Sequence, residues 1–280
     1  HHAGITETCC SEQWRFAGSI RLFDVGASLQ QSLRHRSMAL LHSNIVQVKY
    51  VVYDGVDSKR KQEPVGYVME RMHCSLHEHL KHAKVPLKQL LSLLAQVALA
   101  LAYTHANSVA HLDIKPENIL LDESKSVAKL CDFGCAHFIQ TSFGSTFTAR
   151  GTEFYRAPEI ILDDVKACKP FPVDVFAFGV TMWRLMKPHA TLKQMSERDW
   201  GLLQRVPPAL HRLGQRCTSE NPEDRPTMQQ VHEELERIAA GLAALESLLE
   251  CAGFVPGEEC AELACTLSAQ GVYDAASLRQ

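Results

Sequence analysis

Between residues 86 and 105, Leu87, Leu90, Leu94, Val97 and Leu101 recur at three- and four-residue intervals. That period predicts a helix from Pro86 to His105 whose wide apolar face must be covered by other elements. Two further helices follow from the same kind of pattern: Val173–Met186, which is strongly apolar, and Thr227–Leu249, with Pro226 just ahead of its start. Residues 197–216 also carry helical spacing, interrupted at Pro207-Pro208. Strand signals lie mostly upstream. Val46–Tyr53 and Val65–Met69 are β-rich runs flanking Asp54-Gly55 and the basic Lys59-Arg60-Lys61, which predicts a hairpin with a solvated loop. Trp14–Val25 holds one or two strands, and Leu29–Leu41 has weak helical spacing. Ile119–Leu121 and Ala128–Cys131 are short strand-like runs separated by polar Asp122–Ser126. Asp132–Pro158 reads as a long loop rich in Gly, Ser and Thr, the kind of loop that carries function in a compact domain.

A chain of 280 residues buries enough surface to fold without disulfides or a structural metal. Its ten cysteines, from Cys9 to Cys265, are scattered and lack paired zinc spacing, so they read as free thiols of a reducing compartment. His73, Cys74, His77, His79 and His82 crowd one stretch but also lack that spacing, and read as a solvated helix rather than a metal site. Net charge is −3, which provides no electrostatic reason to expect nucleic acid or an anionic membrane as partner. The longest apolar stretch, Leu90–Tyr103, is interrupted by Ser92 and Gln96 and reads as too short for a bilayer. With no signal-peptide pattern, cytoplasmic or nuclear residence is expected. The first residue is His1 rather than Met, which reads as a start inside a longer protein.

The chemistry concentrates in His111-Leu112-Asp113-Ile114-Lys115-Pro116-Glu117-Asn118, followed by Asp132-Phe133-Gly134 and then Ala157-Pro158-Glu159. In this order and spacing the three motifs resemble the catalytic-loop, metal-binding and substrate-loop signatures of the eukaryotic protein-kinase family. The resemblance covers roughly residues 18–240 and is specific from about Val46 onward. It implies an α+β, two-lobed fold: an incomplete, β-rich small lobe with its hinge at 1–72, a larger helical lobe at 73–242, and a helical extension at 243–280. That extension faintly resembles the start of a sterile-alpha-motif module and would offer a surface to a protein partner.

Phosphoryl transfer needs positioning and charge neutralisation more than covalent chemistry. By resemblance, Asp113 orients the attacking hydroxyl and accepts its proton, and Lys115 stabilises developing charge. Asn118 and Asp132 would hold Mg²⁺, which prefers hard oxygen ligands. Phe133 and Gly134 complete the nucleotide loop. Met69 would guard the back of the pocket, while the backbone of Glu70 and Met72 would meet the adenine of ATP. Cys131 would face that pocket as a small buried hydrophobe. His111, Asp174, Glu159 and Arg225 fall at structural positions, the last two as an ion pair. Lys115 two residues after Asp113, and Thr152 bonding to both, resemble the serine/threonine type. A protein hydroxyl is then the expected acceptor.

Two departures stand out. Leu112 replaces the arginine that grips a phosphate on the activation loop, so phosphorylation at Thr141, Ser142, Ser145, Thr146 or Thr148 is not expected to be the main on-switch. Residues 1–48 contain no lysine and no G-x-G-x-x-G. Leu33 falls about where the family's helix glutamate belongs, and Arg21 is the nearest stand-in for the strand lysine, although its planar fork differs from a compact ammonium. The small lobe is either degenerate or truncated. The expectation is therefore an ATP- and Mg²⁺-dependent serine/threonine kinase, with a pseudokinase that binds nucleotide or scaffolds without turnover as the alternative.

Overall fold

The computed structural model describes residues 14–17, 20–23, 40–53, 64–139, 152–161, 169–187, 206–270 and 272. Near the N-terminus the described elements are ribbons. Strands β1 (Trp14–Ala17) and β2 (Ile20–Phe23) pair antiparallel, as do β3 (Val48–Tyr53) and β4 (Pro64–Met69). Both hairpins match the runs of β-branched and aromatic residues. The Lys59-Arg60-Lys61 loop and Leu33, with the weak helical spacing around it up to residue 39, lie outside the described residues.

Just before β3 the chain makes a parallel contact with the other part of the molecule. Val46 N–H donates to Leu130 O at 2.9 Å, and Leu130 N–H donates to Asn44 O at 2.8 Å. Asn44 is itself buried; its amide donates to Gln96 Oε1 and to Ala128 O, each at 2.9 Å. The polar side chain at this junction is satisfied, as a buried amide must be.

The larger part is helical around two small sheets. Strands β5 (Cys74–Ser75), β7 (Ile119–Leu121) and β8 (Ala128–Leu130) form one antiparallel sheet, with β7 central; β6 (Val109–Ala110) pairs with β9 (His137–Phe138). Helix α1 (Leu76–His82) starts under a side-chain cap, Ser75 Oγ accepting from Glu78 N–H. Helix α2 (Leu87–Ala106) is the leucine-rich one.

At twenty residues and a mean hydropathy of 1.4, α2 is long and apolar enough by composition to cross a bilayer, so the length expected from Leu90–Tyr103 is corrected upward. It serves instead as the central helix of the core. Leu91, Leu93, Leu94, Val97 and Leu101 are completely buried. Burial on both flanks of the stripe explains why the apolar pattern is wider than that of a surface helix.

Around α2 lie α3 (Pro158–Ile161), α4 (Pro170–Met186), α5 (Pro208–Cys217) and α6 (Met228–Cys251). Phe176, Phe178 and Trp183 of α4 are among the largest fully buried side chains. α5 begins at the second residue of Pro207-Pro208, where a missing N–H costs nothing; the helical spacing expected over 197–205 lies outside the described residues. Thr227 and Gln230 close a reciprocal capping box at the start of α6.

α6 runs unbroken through residue 243, where the expected extension was to begin. Leu242, Leu245 and Leu249 continue its buried face, and α7 (Glu258–Ala269) turns back to cover the last two with Cys260 and Ala264. The rest of the tail beyond Val272, including Tyr273 and Asp274, and Gly271 lie outside the described residues. Cys74, Cys131, Cys135, Cys217, Cys251, Cys260 and Cys265 are free thiols, and among the described residues no group of three His, Cys, Asp or Glu side chains could hold a metal ion.

Candidate active site

The segment His111–Asn118 leaves β6, makes a sharp backbone reversal, and enters β7 through a single 3-10 turn at Pro116–Asn118. The reversal is at Leu112, whose φ of 64° lies in the left-handed region that a branched side chain disfavours. It is held from below by Asp174 of α4. This carboxylate is wholly buried and accepts from His111 N–H and from Leu112 N–H, each at 2.7 Å. His105, in the last turn of α2, meets the same carboxylate at 2.9 Å and stacks on Phe171. A buried charge is tolerable only when its lone pairs are so occupied. Thr181, also on α4, adds a hydroxyl bond to Ile114 O.

With the loop so anchored, its side chains converge. Asp113 Oδ2 lies 2.8 Å from Lys115 Nζ and accepts from Asn118 Nδ2 at 2.9 Å. Its other oxygen, Oδ1, accepts from both the backbone N–H and the hydroxyl of Thr152, each at 3.2 Å. Lys115 Nζ closes the triangle by donating to Thr152 Oγ1 at 2.9 Å. Thr152 thus bonds to both Asp113 and Lys115. Burial alone would raise the Asp113 pKa; the Lys115 hydrogen bond and charge, helped by His111 and Asn118, overcome it and hold the carboxyl below the ordinary value.

Asp132 reaches the same region from the end of β8. Its φ of 62° is left-handed, and its Oδ1 accepts from Gly134 N–H at 3.1 Å. Burial pushes its pKa up, the Gly134 N–H and the His111 charge oppose that, and the nearby Asp113 charge adds to the rise. The two carboxylates are therefore electrostatic neighbours with opposite shifts. His111 ties the two loops together: its Nε2 is 2.9 Å from Cys131 O, and its ring meets Phe133 edge-on at 4.7 Å. Cys131 N–H also donates to Asn118 O at 2.9 Å.

The hinge side is assembled separately. Met72, Val46, Leu120 and Cys131 form a small buried cluster with Met69 packed against it. Glu70 directs its side chain away, to Lys129. Arg21 lies on β2, opposite Phe16 in the β1–β2 hairpin. Further down, Arg225 makes a two-pronged contact with Glu159, NH1 to Oε1 at 2.6 Å and NH2 to Oε2 at 2.8 Å. It also donates to three backbone carbonyls and lies over the Phe176 ring. Thr141, Ser142, Ser145, Thr146 and Thr148 lie outside the described residues.

Sequence reasoning missed His105 and Lys129. The first is visible only as a histidine in the last turn of a helix, and the second carries no local signal.

The protein kinase domain family model matches residues 30–235. Over 160 residues the chain is 34% identical to cyclin-dependent kinase F-4 of Oryza sativa subsp. japonica, covering 56% of this chain and 32% of that protein. Over 92 residues it is 39% identical to serine/threonine-protein kinase mos of Patiria pectinifera, covering 31% and 25%. Over 202 residues it is 28% identical to serine/threonine-protein kinase ppk34 of Schizosaccharomyces pombe, covering 68% and 55%. The chain thus spans only about a quarter to about half of these relatives' own lengths. With the family match extending over most of the chain, and an α+β fold that joins strand ribbons to a larger helical part, this protein belongs to the eukaryotic protein kinase family.

Proposed function

We propose that the chain is an active serine/threonine kinase that transfers the γ-phosphoryl group of ATP to a protein hydroxyl. The observation that carries this reading is the closed arrangement of Asp113, Lys115 and Thr152, with Asn118 on the same carboxylate. Asp113, kept ionised by its neighbours, orients the incoming hydroxyl and accepts its proton. Lys115 supplies fixed positive charge beside the transferring group. The donor chemistry suits a hard divalent cation: Asp132 is a half-buried carboxylate whose charge is disfavoured by desolvation and by Asp113, and the Asn118 amide nitrogen is committed to Asp113, which leaves the amide oxygen to meet a cation. Asn118 and Asp132 would hold Mg²⁺, which neutralises phosphate charge when bound. Glu70 and Met72 would contact adenine through their backbone, beside Phe133 and Gly134. Cytoplasmic residence, and a protein partner on the helical extension, belong to the same reading.

A second reading, a pseudokinase, is favoured by one feature: residues 1–48 contain no lysine, and Arg21 is the nearest stand-in for it in the sequence. The two readings part in one experiment. Radiolabelled ATP with Mg²⁺ and a mixed serine/threonine peptide library should yield labelled peptide with the parent chain and essentially none with Asp113→Asn. A parent chain that gains about 2.7 kcal/mol of stability at a hundredfold excess of ATP over Kd, yet transfers no phosphate, is the pseudokinase.

A further inference from the structure

Glu70 is bound at four points. Its N–H donates to Gln47 O at 3.0 Å, and its Oε1 accepts from Gln47 N–H at 2.8 Å. Lys129 Nζ then donates to Oε1 at 2.8 Å and to Oε2 at 2.7 Å. The strand segment between the two residues is held on both sides: Gln47 pairs with Glu70, and Val46 pairs with Leu130. The Glu70–Lys129 pair closes over this segment, joining the chain after β4 to β8, three residues before Asp132.

Inside the clip sits the small cluster of Val46, Met72, Leu120 and Cys131, which is separate from the main hydrophobic core. Four side chains cannot fix the spacing of two segments as firmly as a large core does. Outside the clip is an open cavity of about 280 Å³, lined by Leu40, Leu41, His42, Ser43 and Gln47 beside the pair. The two charged side chains are 20% and 23% exposed and belong to neither apolar cluster; a methionine in place of Lys129 keeps the packing of its stem, and Gln47 N–H still meets Glu70.

We propose that Lys129 is a positioning residue: through Glu70 it sets the hinge backbone at the distance from Asp132 that a magnesium-bound adenine nucleotide requires. The inference rests on the reading of the cleft as a nucleotide site. Isothermal titration with ADP and Mg²⁺, on the full chain, tests it alongside thermal unfolding. Lys129→Met should weaken ADP binding by about fivefold while the unfolding midpoint barely moves. Lys129→Arg should restore the affinity, because a guanidinium can meet both carboxylate oxygens. Glu70→Gln should reproduce the loss, and adding it to Lys129→Met should cost no more than either change alone. Parent-like binding by Lys129→Met or by Glu70→Gln overturns the proposal and leaves the nucleotide site standing. A large drop in the unfolding midpoint also overturns it, since the pair would then be structural. A parent chain that binds no ADP removes both readings together.

Discussion

Asp132 and Asp113 sit close enough to repel, yet their pKa values move in opposite directions: burial dominates at Asp132, while the hydrogen bond and charge of Lys115 overcome burial at Asp113. For Asp132 the folded pKa is raised, so its ionised form is penalised in the fold. That penalty is fully present above the folded pKa and fades as pH falls through it toward the unfolded value. Asp132→Asn should therefore be more stable than the parent at neutral pH without ligand, and the difference should narrow toward about pH 4, where both states of the parent take up the proton. Urea midpoints at the two pH values test this; a gap that widens on acidification contradicts the assignment. Gly134 bears on the same carboxylate. A Cβ there would come within 2.9 Å of Asp132 Oδ1, so Gly134→Ala must move the carboxylate. The end of a side chain yields easily, and unfolding should change little. The displaced group should nevertheless lower kcat by about 10²-fold, the scale expected for a misplaced catalytic group. Parent-like turnover in this variant would mean that the Asp132 position is not critical.

At the level of elements, α4 acts as a base: it carries Asp174 and Thr181, which hold the His111–Asn118 loop, while α5 crosses close behind it. Gly179 permits that crossing. A Cβ there would lie 2.7 Å from Cys217 Cβ and 2.8 Å from Thr218 Cγ2, so Gly179→Ala should destabilise by about 1–3 kcal/mol through overpacking. A urea midpoint equal to the parent's would show that α5 can shift freely. Much of this layer was legible in the sequence. The 3.6-residue periods located α2, α4 and α6, and the motif order brought Asp113, Lys115, Asn118 and Thr152 into one group. What could not be read shares a physical cause. His105 meets Asp174 across 69 residues and Lys129 meets Glu70 across 59, and each pairing is set by packing rather than by any local pattern. The helix itself was expected from Pro86 to His105; Ser92 and Gln96 shorten only the apolar run, and Gln96, bonded to Asn44 and Ala128, does not end the helix.

For the molecule as a whole, the open matter is whether the C-terminal hairpin is a module of its own. The family match ends at residue 235, inside α6, while the buried face of that helix continues to Leu249. α7 covers this end, and its Glu262 reaches Lys84 ahead of α2 at 2.8 Å; Glu246 of α6 meets Lys88 at 2.6 Å. These exposed ion pairs contribute little energy, and the apolar contacts dominate. Leu245 is 1% exposed and lies where α6 passes from the core to α7. Leu245→Ala should cost about 2–5 kcal/mol, which for a chain of this size lowers Tm by roughly 4–20 °C. If the hairpin folds together with the kinase core, the whole unfolding curve shifts as one transition, and bound nucleotide raises the midpoint of parent and variant alike. If it is a separate unit, calorimetry of the variant will resolve an early transition that nucleotide does not move, leaving the main one at the parent's temperature. The continuous α6 backbone leads us to expect a single transition, since a helix cannot melt at its middle without exposing Leu242 beside Leu245.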